Sequence, residues 1–593
     1  MSSEVEETLK RDHEGDENQL NTIFTHKKKV VVEAPAGCGK TKTMVSKVSY
    51  ILATKQISEN KKILALTFSV NAAYKMKKDI CDKLPRVGID SIKTPAEINK
   101  KIYITNYHGF ARRLLHLYGY LLDEKLKNFD GFQAINEENI DNLGLCYSDI
   151  SLLHNFSEAV NNADKEYIYQ NQDEYYSILK NKLLPNNYIT YNGYLLLCKR
   201  ILHDYCNLKA FFQRLYPIII IDEFQDTNIL SWDIIQELVT EDSQLFFMGD
   251  SLQRIYGFIG AIPNILDMAV DRFNMTKIVL TKNYRFRDNR DMLLLDKNIR
   301  KNAENFLNPS INEDAYVSLQ LLNNQKEESK WVADKVQELL SNHENSKVAI
   351  LVKQRGENIN EILSSLDQNG VNYFYALFSD EDSIYIKYHE ELLKIFFDEL
   401  NNNVLKRINM PFLEKVKARI SKYYEDNDNP VIVSLLILTK AFFRKMIKEY
   451  NFLNNEEKIA FINDTISNRA LKQNMDEIDS RVIVSTVHGA KGLEWEYVIL
   501  PDMEPYVFPN FRGLCGQCDF RRGRYITGDF CRIVPSEQQG DCVMEELSVF
   551  YVAVTRAKKQ VFFSASKKRY KSDHEEKESH ICCLLTLPGI KIS

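Results

Sequence analysis

The sequence has little of what would place it in a membrane, outside the cell or in a simple charge class. No apolar run approaches the roughly 18 residues that a bilayer-spanning helix requires, so no transmembrane helix organises the chain and no membrane partner is expected. The segment from Met1 to Asp16 is acidic and has no apolar centre, which argues against a secretory leader and for a cytoplasmic protein. Net charge is only −5 over 593 residues. A global basic field is therefore absent, and contact with nucleic acid has to come from local patches such as Lys27-Lys28-Lys29, Lys75 with Lys77 and Lys78, or Arg521-Arg522 with Arg524. Runs of this kind are equally the solvated faces of ordinary helices, so charge alone decides nothing. Glycine is sparse at 22 residues, and neither an internal repeat nor a low-complexity linker is present, so repeat arrays and disordered linkers drop out.

What is there is an ordinary globular composition, 44% hydrophobic and 27% charged, on a chain too long for one core. An aromatic content of 11% leaves room for stacking platforms as well as cores. Apolar strand candidates fall at 30–33, 63–68, 218–221, 245–248, 278–280, 348–352, 482–486, 497–500 and 560–564, separated by helix-like stretches. Alternation of this kind predicts an α/β fold of parallel sheets covered by helices, in two groups spanning 30–285 and 330–593. Each group is interrupted by a stretch without strand signals, 112–205 and 381–474, rich in Leu, Lys, Glu, Asn and Tyr at helical spacing. These read as mainly helical insertions.

Ala34-Pro35-Ala36-Gly37-Cys38-Gly39-Lys40-Thr41 lies between the apolar run Val30-Val31-Val32 and a helix-like stretch. A glycine-rich turn in that position lets backbone N–H groups converge on phosphate oxygens, and the following helix adds its positive N-terminal end. Lys40 supplies an ammonium and Thr41 a hydroxyl for Mg2+. Ala34 stands where this pattern usually has glycine, but Gly37 and Gly39 keep the backbone freedom that the cradle needs. The competing reading is a plain glycine turn joining strand to helix. The run Ile218 to Ile221 reads as a buried parallel strand leading into Asp222-Glu223, and strand C-terminal ends are where open α/β sheets bind ligands. Asp222 is placed to hold Mg2+ opposite Thr41, and Glu223 to orient and deprotonate a water attacking the γ-phosphate. The two segments together imply hydrolysis as well as nucleotide binding.

Most of the eleven cysteines sit singly in apolar surroundings, but Cys515, Cys518, Cys531 and Cys542 cluster within 28 residues. Cys515-Gly516-Gln517-Cys518 has the spacing of a zinc knuckle, which makes the four a candidate set for a structural Zn2+. Loose spacing of the last two thiols and the lack of a histidine favour reduced free thiols instead.

Taken in order, the motifs resemble the UvrD/Rep/PcrA family of superfamily 1 DNA helicases across nearly the whole chain outside the two insertions. The resemblance implies two RecA-like P-loop domains, the first at 1–111 and 206–285 and the second at 286–380 and 475–593, with a helical insertion at 112–205 and a short one at 381–474. It implies ATP with Mg2+ in the cleft between the domains and single-stranded DNA across their top. Gln19 lies 21 residues before Lys40 and resembles the upstream glutamine that reads adenine. Leu66-Thr67-Phe68-Ser69-Val70-Asn71-Ala72-Ala73 is similar to a motif whose phenylalanine and polar groups touch single-stranded DNA, which implicates Thr67, Phe68 and Asn71. Phe68 also fits an ordinary core aromatic. Asn106-Tyr107-His108-Gly109-Phe110 resembles another strand-contact motif, with His108 beside phosphate or base.

Asp222-Glu223-Phe224-Gln225-Asp226-Thr227-Asn228 is close to the family's DEFQDTN motif, a highly specific match. Gly249 to Ala261 is similar to the motif whose glutamine senses the γ-phosphate, here Gln253, with Tyr256 and Phe258 as base-stacking aromatics and Ile259 in place of an arginine. Leu280-Thr281-Lys282-Asn283-Tyr284-Arg285 looks like the NYR motif, in which Tyr284 would stack on adenine and Arg285 would reach the γ-phosphate. Ser485 to Trp495 resembles a motif that touches DNA, through Thr486 and His488, and ribose, through Glu494. Tyr551 to Lys558 resembles the last family motif and makes Arg556 a second arginine finger. The family implies 3′ to 5′ movement on single-stranded or tailed duplex DNA with unwinding. An ATPase subunit serving a partner nuclease, in repair or phage defence, is the alternative. No carboxylate–lysine nuclease signature follows residue 566.

Overall fold

The computed structural model describes residues 2–87, 95–137, 140, 143–255, 260–379, 382–403, 407–516, 518, 526–533, 540–570 and 576–593. They form two compact units, Met1–Lys282 and Asn283–Ser593. The first is built on strands β1 (Lys29–Glu33), β2 (Ile63–Thr67), β3 (Ile102–Asn106), β4 (Ile218–Ile221), β5 (Gln244–Gly249) and β6 (Thr276–Val279). All pair in parallel, in the order β3-β2-β4-β5-β1-β6.

The isoleucine run of β4 is continuous because both faces of the sheet are covered. Ile219 and Ile221 enter one core with Leu64, Leu66 and Phe247, while Ile218 and Ile220 enter a second with Ala65, Phe246, Met44 and Met76. Register then puts the strand ends level. Val31 lies opposite Phe247, Phe247 opposite Ile221, Ile221 opposite Leu66, and Leu66 opposite Thr105. The loops that follow β1, β2, β3, β4 and β5 therefore emerge along one rim. Helices Tyr147–Asn161, Lys165–Ile178 and Tyr191–Asp204 lie in the first stretch without strand signals, and their core residues Phe156 and Tyr175 stack with ring centroids 4.2 Å apart.

The second unit carries β7 (Ala315–Leu322), β8 (Val348–Val352), β9 (Phe374–Ala376), β10 (Val482–Thr486), β11 (Trp495–Leu500), β12 (Ala557–Ser566) and β13 (Ile590–Ile592). These too pair in parallel, in the order β9-β10-β8-β11-β12-β7-β13. Four helices, Ser383–Asn401, Met410–Tyr423, Pro430–Lys448 and Asn455–Ser467, occupy the second stretch without strand signals. The α/β class with parallel sheets is thus as the sequence predicts, and every strand candidate overlaps a strand, with Phe68 and Leu280 falling just past the strand ends. Strands β3, β7, β9 and β13 carry no clear sequence signal. The first two are only partly buried along their length, and the last two are three residues long.

Near the C-terminal ends of β11 and β12 the second unit buries three carboxylates around one guanidinium. Arg569 donates to Asp502 at 2.7 Å and to Glu504, while Glu328 accepts from Ser564 at 2.7 Å and Ser566 at 2.6 Å. Burial pushes the Glu328 and Glu504 carboxyls above their ordinary range; neighbouring carboxylates push the same way, while Arg569 pulls Glu504 back. A carboxyl whose pKa is higher folded than unfolded stabilises the fold most below the unfolded value, and that contribution is lost as pH rises through the folded value. Arg569 is the cation that pairs with these carboxylates among the described residues, and its removal leaves buried charge uncompensated, so Arg569→Ala is expected to cost about 3–5 kcal/mol of stability. Denaturant unfolding should show a larger loss at pH 8 than at pH 5.5.

Candidate functional site

Strand β1 ends at Glu33 and releases the loop Ala34–Gly39 into helix α1, Lys40–Ala53. The Ala34 N–H donates to Gly249 O at 2.8 Å, which ties the loop's start to the end of β5. Gly37 and Gly39 both have φ of +78°, a conformation that costs a side-chain-bearing residue free energy. Gly39 has a second reason to lack a side chain: a Cβ there would lie 2.6 Å from Gln19 Nε2. Gln19 reaches the loop from helix Glu17–Phe24 and donates from Nε2 to Cys38 O at 2.8 Å. With Lys40 and Thr41 opening α1, the loop presents backbone N–H groups and a positive helix end in one place.

Lys40 Nζ lies 2.6 Å from Glu223 Oε2 and 3.9 Å from Asp222 Oδ1. Burial alone would lower the Lys40 ammonium, but the Glu223 and Asp222 carboxylates outweigh it and raise it. Burial pushes Asp222 up to about 6 against the pull of Lys40, with Glu223 adding to the rise. Glu223 sits in the left-handed region at φ +51°, an uncommon backbone state for a residue with a side chain and one that clusters at functional sites. Its N–H donates to Asp222 Oδ1 at 2.9 Å.

A relay of side chains then runs along the rim. Gln225 Nε2 donates to Glu223 Oε2 at 2.6 Å, Gln225 Oε1 accepts from the Asp250 N–H at 3.0 Å, and Gln253 Nε2 donates to Asp250 Oδ2 at 2.8 Å. The γ-phosphate candidate Gln253 is thereby connected to the hydrolytic candidate Glu223 through Gln225 and Asp250. Both intermediaries lie inside motifs that the sequence singles out, yet only the register of β4 beside β5 shows them as a bridge. Thr41 and Asp222 offer hard oxygen donors suited to Mg2+, which takes one or two protein ligands and completes its shell with water and phosphate. Such an ion would polarise the phosphates and neutralise their charge.

The same rim holds the strand-contact candidates of the first unit. Thr67 ends β2, is buried, and donates to Ser69 O at 2.9 Å. Phe68 and Asn71 are half-buried beside it, and Asn71 Oδ1 has no hydrogen bond among the described residues. His108 follows β3 with its ring 6.1 Å from that of Tyr191, and burial, aided by Arg112, brings its pKa down to about 4. It is therefore a neutral imidazole at physiological pH. Tyr256, Phe258 and Ile259 lie outside the described residues.

In the second unit the candidates separate to opposite ends of the sheet. Arg285, Glu494 and Arg556 gather by the N-terminal ends of β11 and β12. Arg285 donates to the Glu494 carboxylate and to Thr555 O. Arg556 is buried and donates to Val552 O at 3.1 Å and Leu493 O at 3.2 Å. Glu494, expected at ribose, here holds the arginine expected at phosphate. Tyr284 is half-buried next to them, after Asn283, whose Oδ1 accepts from the Arg285 N–H at 2.9 Å. Thr486 and His488 lie at the C-terminal end of β10, where Thr486 Oγ1 accepts from the Gly489 N–H at 3.0 Å. Burial and three lysines, Lys353 foremost, bring His488 down to about 4.

The zinc set suggested by cysteine spacing does not form: no group of three or more His, Cys, Asp or Glu among the described residues is arranged to hold a metal. Its thiols have other partners. Cys515 Sγ donates to Pro509 O at 3.3 Å, and burial pushes that thiol up to about 12, while Cys531 is hydrogen-bonded to Cys583 from the far end of the chain. Cys518 is buried, and Cys542 is half-buried on helix Gly540–Thr555.

Comparison with known proteins places these features in a family. Residues 16–274 match the UvrD/REP helicase N-terminal domain and residues 438–568 the UvrD-like helicase C-terminal domain. A probable DNA helicase II homolog of Mycoplasma genitalium is 26% identical, the alignment covering 93% of this chain and 84% of the relative. A protein of the same description from Mycoplasma capricolum is 24% identical over 93% of this chain and 84% of its own length. The ATP-dependent DNA helicase PcrA of Bacillus subtilis is 23% identical over 93% of this chain and 82% of its own length.

Gly39→Ala is expected to strain the loop and displace Gln19, at a cost of about 1 kcal/mol or more to the bound geometry. Titration with a fluorescent nucleotide should show at least about fivefold weaker binding, with an unchanged circular-dichroism spectrum.

Proposed function

This chain belongs to the UvrD/Rep family of DNA helicases, and we propose that it is an ATP-driven motor that moves 3′ to 5′ on single-stranded DNA and unwinds duplex. The observation that carries the hydrolytic part is the set Lys40, Asp222, Glu223, Gln225, Asp250 and Gln253, in which half-buried Lys40 and Glu223 meet four buried side chains and a phosphate-binding ammonium is joined to a base and a sensor by continuous hydrogen bonds. Lys40 neutralises the β- and γ-phosphates, Thr41 and Asp222 hold Mg2+, and Glu223 orients and deprotonates the attacking water. Gln253 reports the presence of the γ-phosphate to that base. Gln19 and Tyr284 bind adenine and Glu494 the ribose, while Arg285 and Arg556 neutralise charge that develops in the transition state.

Thr67, Phe68, Asn71, His108, Tyr256, Phe258, Thr486 and His488 line the path of the strand. Stacking on aromatic faces suits a motor that must accept every base. The neutral state of His108 and His488 fits hydrogen bonding to base or sugar better than neutralisation of phosphate. The RecA-like domains are assigned to 1–111 with 206–285 and to 286–380 with 475–593. Loss of the γ-phosphate would weaken the hold of Arg285 and Arg556, so that hydrolysis becomes movement.

Lys40→Ala is expected to abolish ATP hydrolysis; undiminished turnover would sink the assignment. Strand displacement should occur on 3′-tailed duplex and not on 5′-tailed duplex. Strong DNA-stimulated hydrolysis with no displacement on either would instead favour an ATPase subunit that serves a partner nuclease.

A further inference from the structure

Gln19 is buried to 1% exposure, and each end of its amide has a partner. Nε2 donates to Cys38 O at 2.8 Å, and Oε1 is bonded by His13 Nδ1. His13 is itself buried, at the turn between helices Ser2–Asp12 and Glu17–Phe24, and its Nε2 lies 2.8 Å from Ser46 Oγ on helix Lys40–Ala53. We propose that His13 is a positioning residue that locks the orientation of the Gln19 amide and so sets the preference for adenine over guanine at the nucleotide site. The inference rests on the reading of Gln19 as the adenine contact and adds a residue to it.

The bonding pattern has one consistent solution. Cys38 O can only accept, so the amide must present Nε2 to it. Oε1 then faces His13, and because a carbonyl oxygen cannot donate, Nδ1 must carry the proton. With Nδ1 protonated and the ring neutral, Nε2 accepts from the Ser46 hydroxyl. Burial, reinforced by Lys42 and Lys83 and opposed by the Gln19 bond and Asp12, lowers the His13 pKa, a shift that favours the neutral ring. Among bonds within the described residues, this leaves the amide one N–H and one oxygen lone pair. That pair of functions matches the adenine edge, where N7 accepts and the N6 amino group donates, and mismatches guanine, where N7 and O6 both accept. An amide free to rotate could turn its NH2 toward O6; one fixed at both ends cannot. The same side chain packs where a Cβ on Gly39 would lie, so base recognition and loop geometry share one group.

The test is the ratio of kcat/KM for ATP to that for GTP, in full-length protein with DNA present, for the wild type, His13→Ala, His13→Asn and Gln19→Ala. One hydrogen bond's contribution to orientation corresponds to a fall in the ratio of about fivefold in His13→Ala. His13→Asn, whose Nδ2 can replace the Nδ1 donor, should restore most of it. A purely structural role would lower both rates together and leave the ratio unchanged. If Gln19→Ala lowers the ratio and His13→Ala does not, the positioning role of His13 is overturned while the adenine reading stands. If neither lowers it, the adenine reading itself fails. Should His13→Ala not fold, Ser46→Ala removes the group that orients the ring from behind; a smaller fall in the same ratio is expected, and an unchanged ratio overturns the proposal.

Discussion

The ion pair between Lys40 and Glu223 is the interaction on which the nucleotide site depends. Both side chains are half-buried, so each charge is partly withdrawn from water, and removal of one partner leaves the other without its counter-charge. In the mechanism we propose, a triphosphate entering the loop would compete with Glu223 for the ammonium. With Lys40 taken over by phosphate, the carboxylate would lose its counter-charge and become a better base for a water beside the γ-phosphate. The left-handed backbone at Glu223 and the N–H bond to Asp222 hold that carboxylate at the strand end. Its bond from Gln225 leads on to Asp250 and Gln253. In the proposed mechanism, occupancy of the phosphate loop would reach the base and the relay together.

What sets these groups side by side is register. Five parallel strands of the first unit end level, so a loop from each can contribute to a common rim without a long reach. β5, between the strand that feeds the phosphate loop and the strand that ends at Asp222, places Asp250 within reach of Gln225. The strand-contact candidates Thr67 and His108 emerge from β2 and β3 on the same rim. In the second unit the groups assigned to nucleotide and to DNA sit at opposite ends of one sheet, Arg285, Glu494 and Arg556 at one and Thr486 and His488 at the other. With β10 five residues long and β11 six, the sheet is a direct mechanical link between such ends, about 16–20 Å apart at the usual rise per residue.

Much of this fold was legible in the sequence because its central strands are buried on both faces and so read as unbroken apolar runs. Ile218 to Ile221 is the clearest case, and the motif residues after it follow from where a parallel strand must end. Strands β3, β7, β9 and β13 escaped because partial burial or shortness erases the apolar pattern. Lys40, Asp222, Glu223 and Gln253 could be named from motif types alone, whereas the bridge through Gln225 and Asp250 needed the neighbouring strand. His13 leaves no local signal, since its role depends on a turn that folds it back onto Gln19 and Ser46. Cysteine spacing could not show that Cys531 is hydrogen-bonded to Cys583, because sequence distance hides that neighbour.

The most direct measurement of the central claim is Glu223→Gln assayed for ATP affinity and turnover in parallel. The variant keeps the shape of the side chain, removes the base, and frees Lys40 for phosphate. ATP binding equal to or tighter than wild type, with turnover reduced by about 100-fold or more, is the expected result. Weakened ATP binding with turnover at the wild-type rate would contradict the account, because the carboxylate would then hold the loop in shape and have no part in hydrolysis.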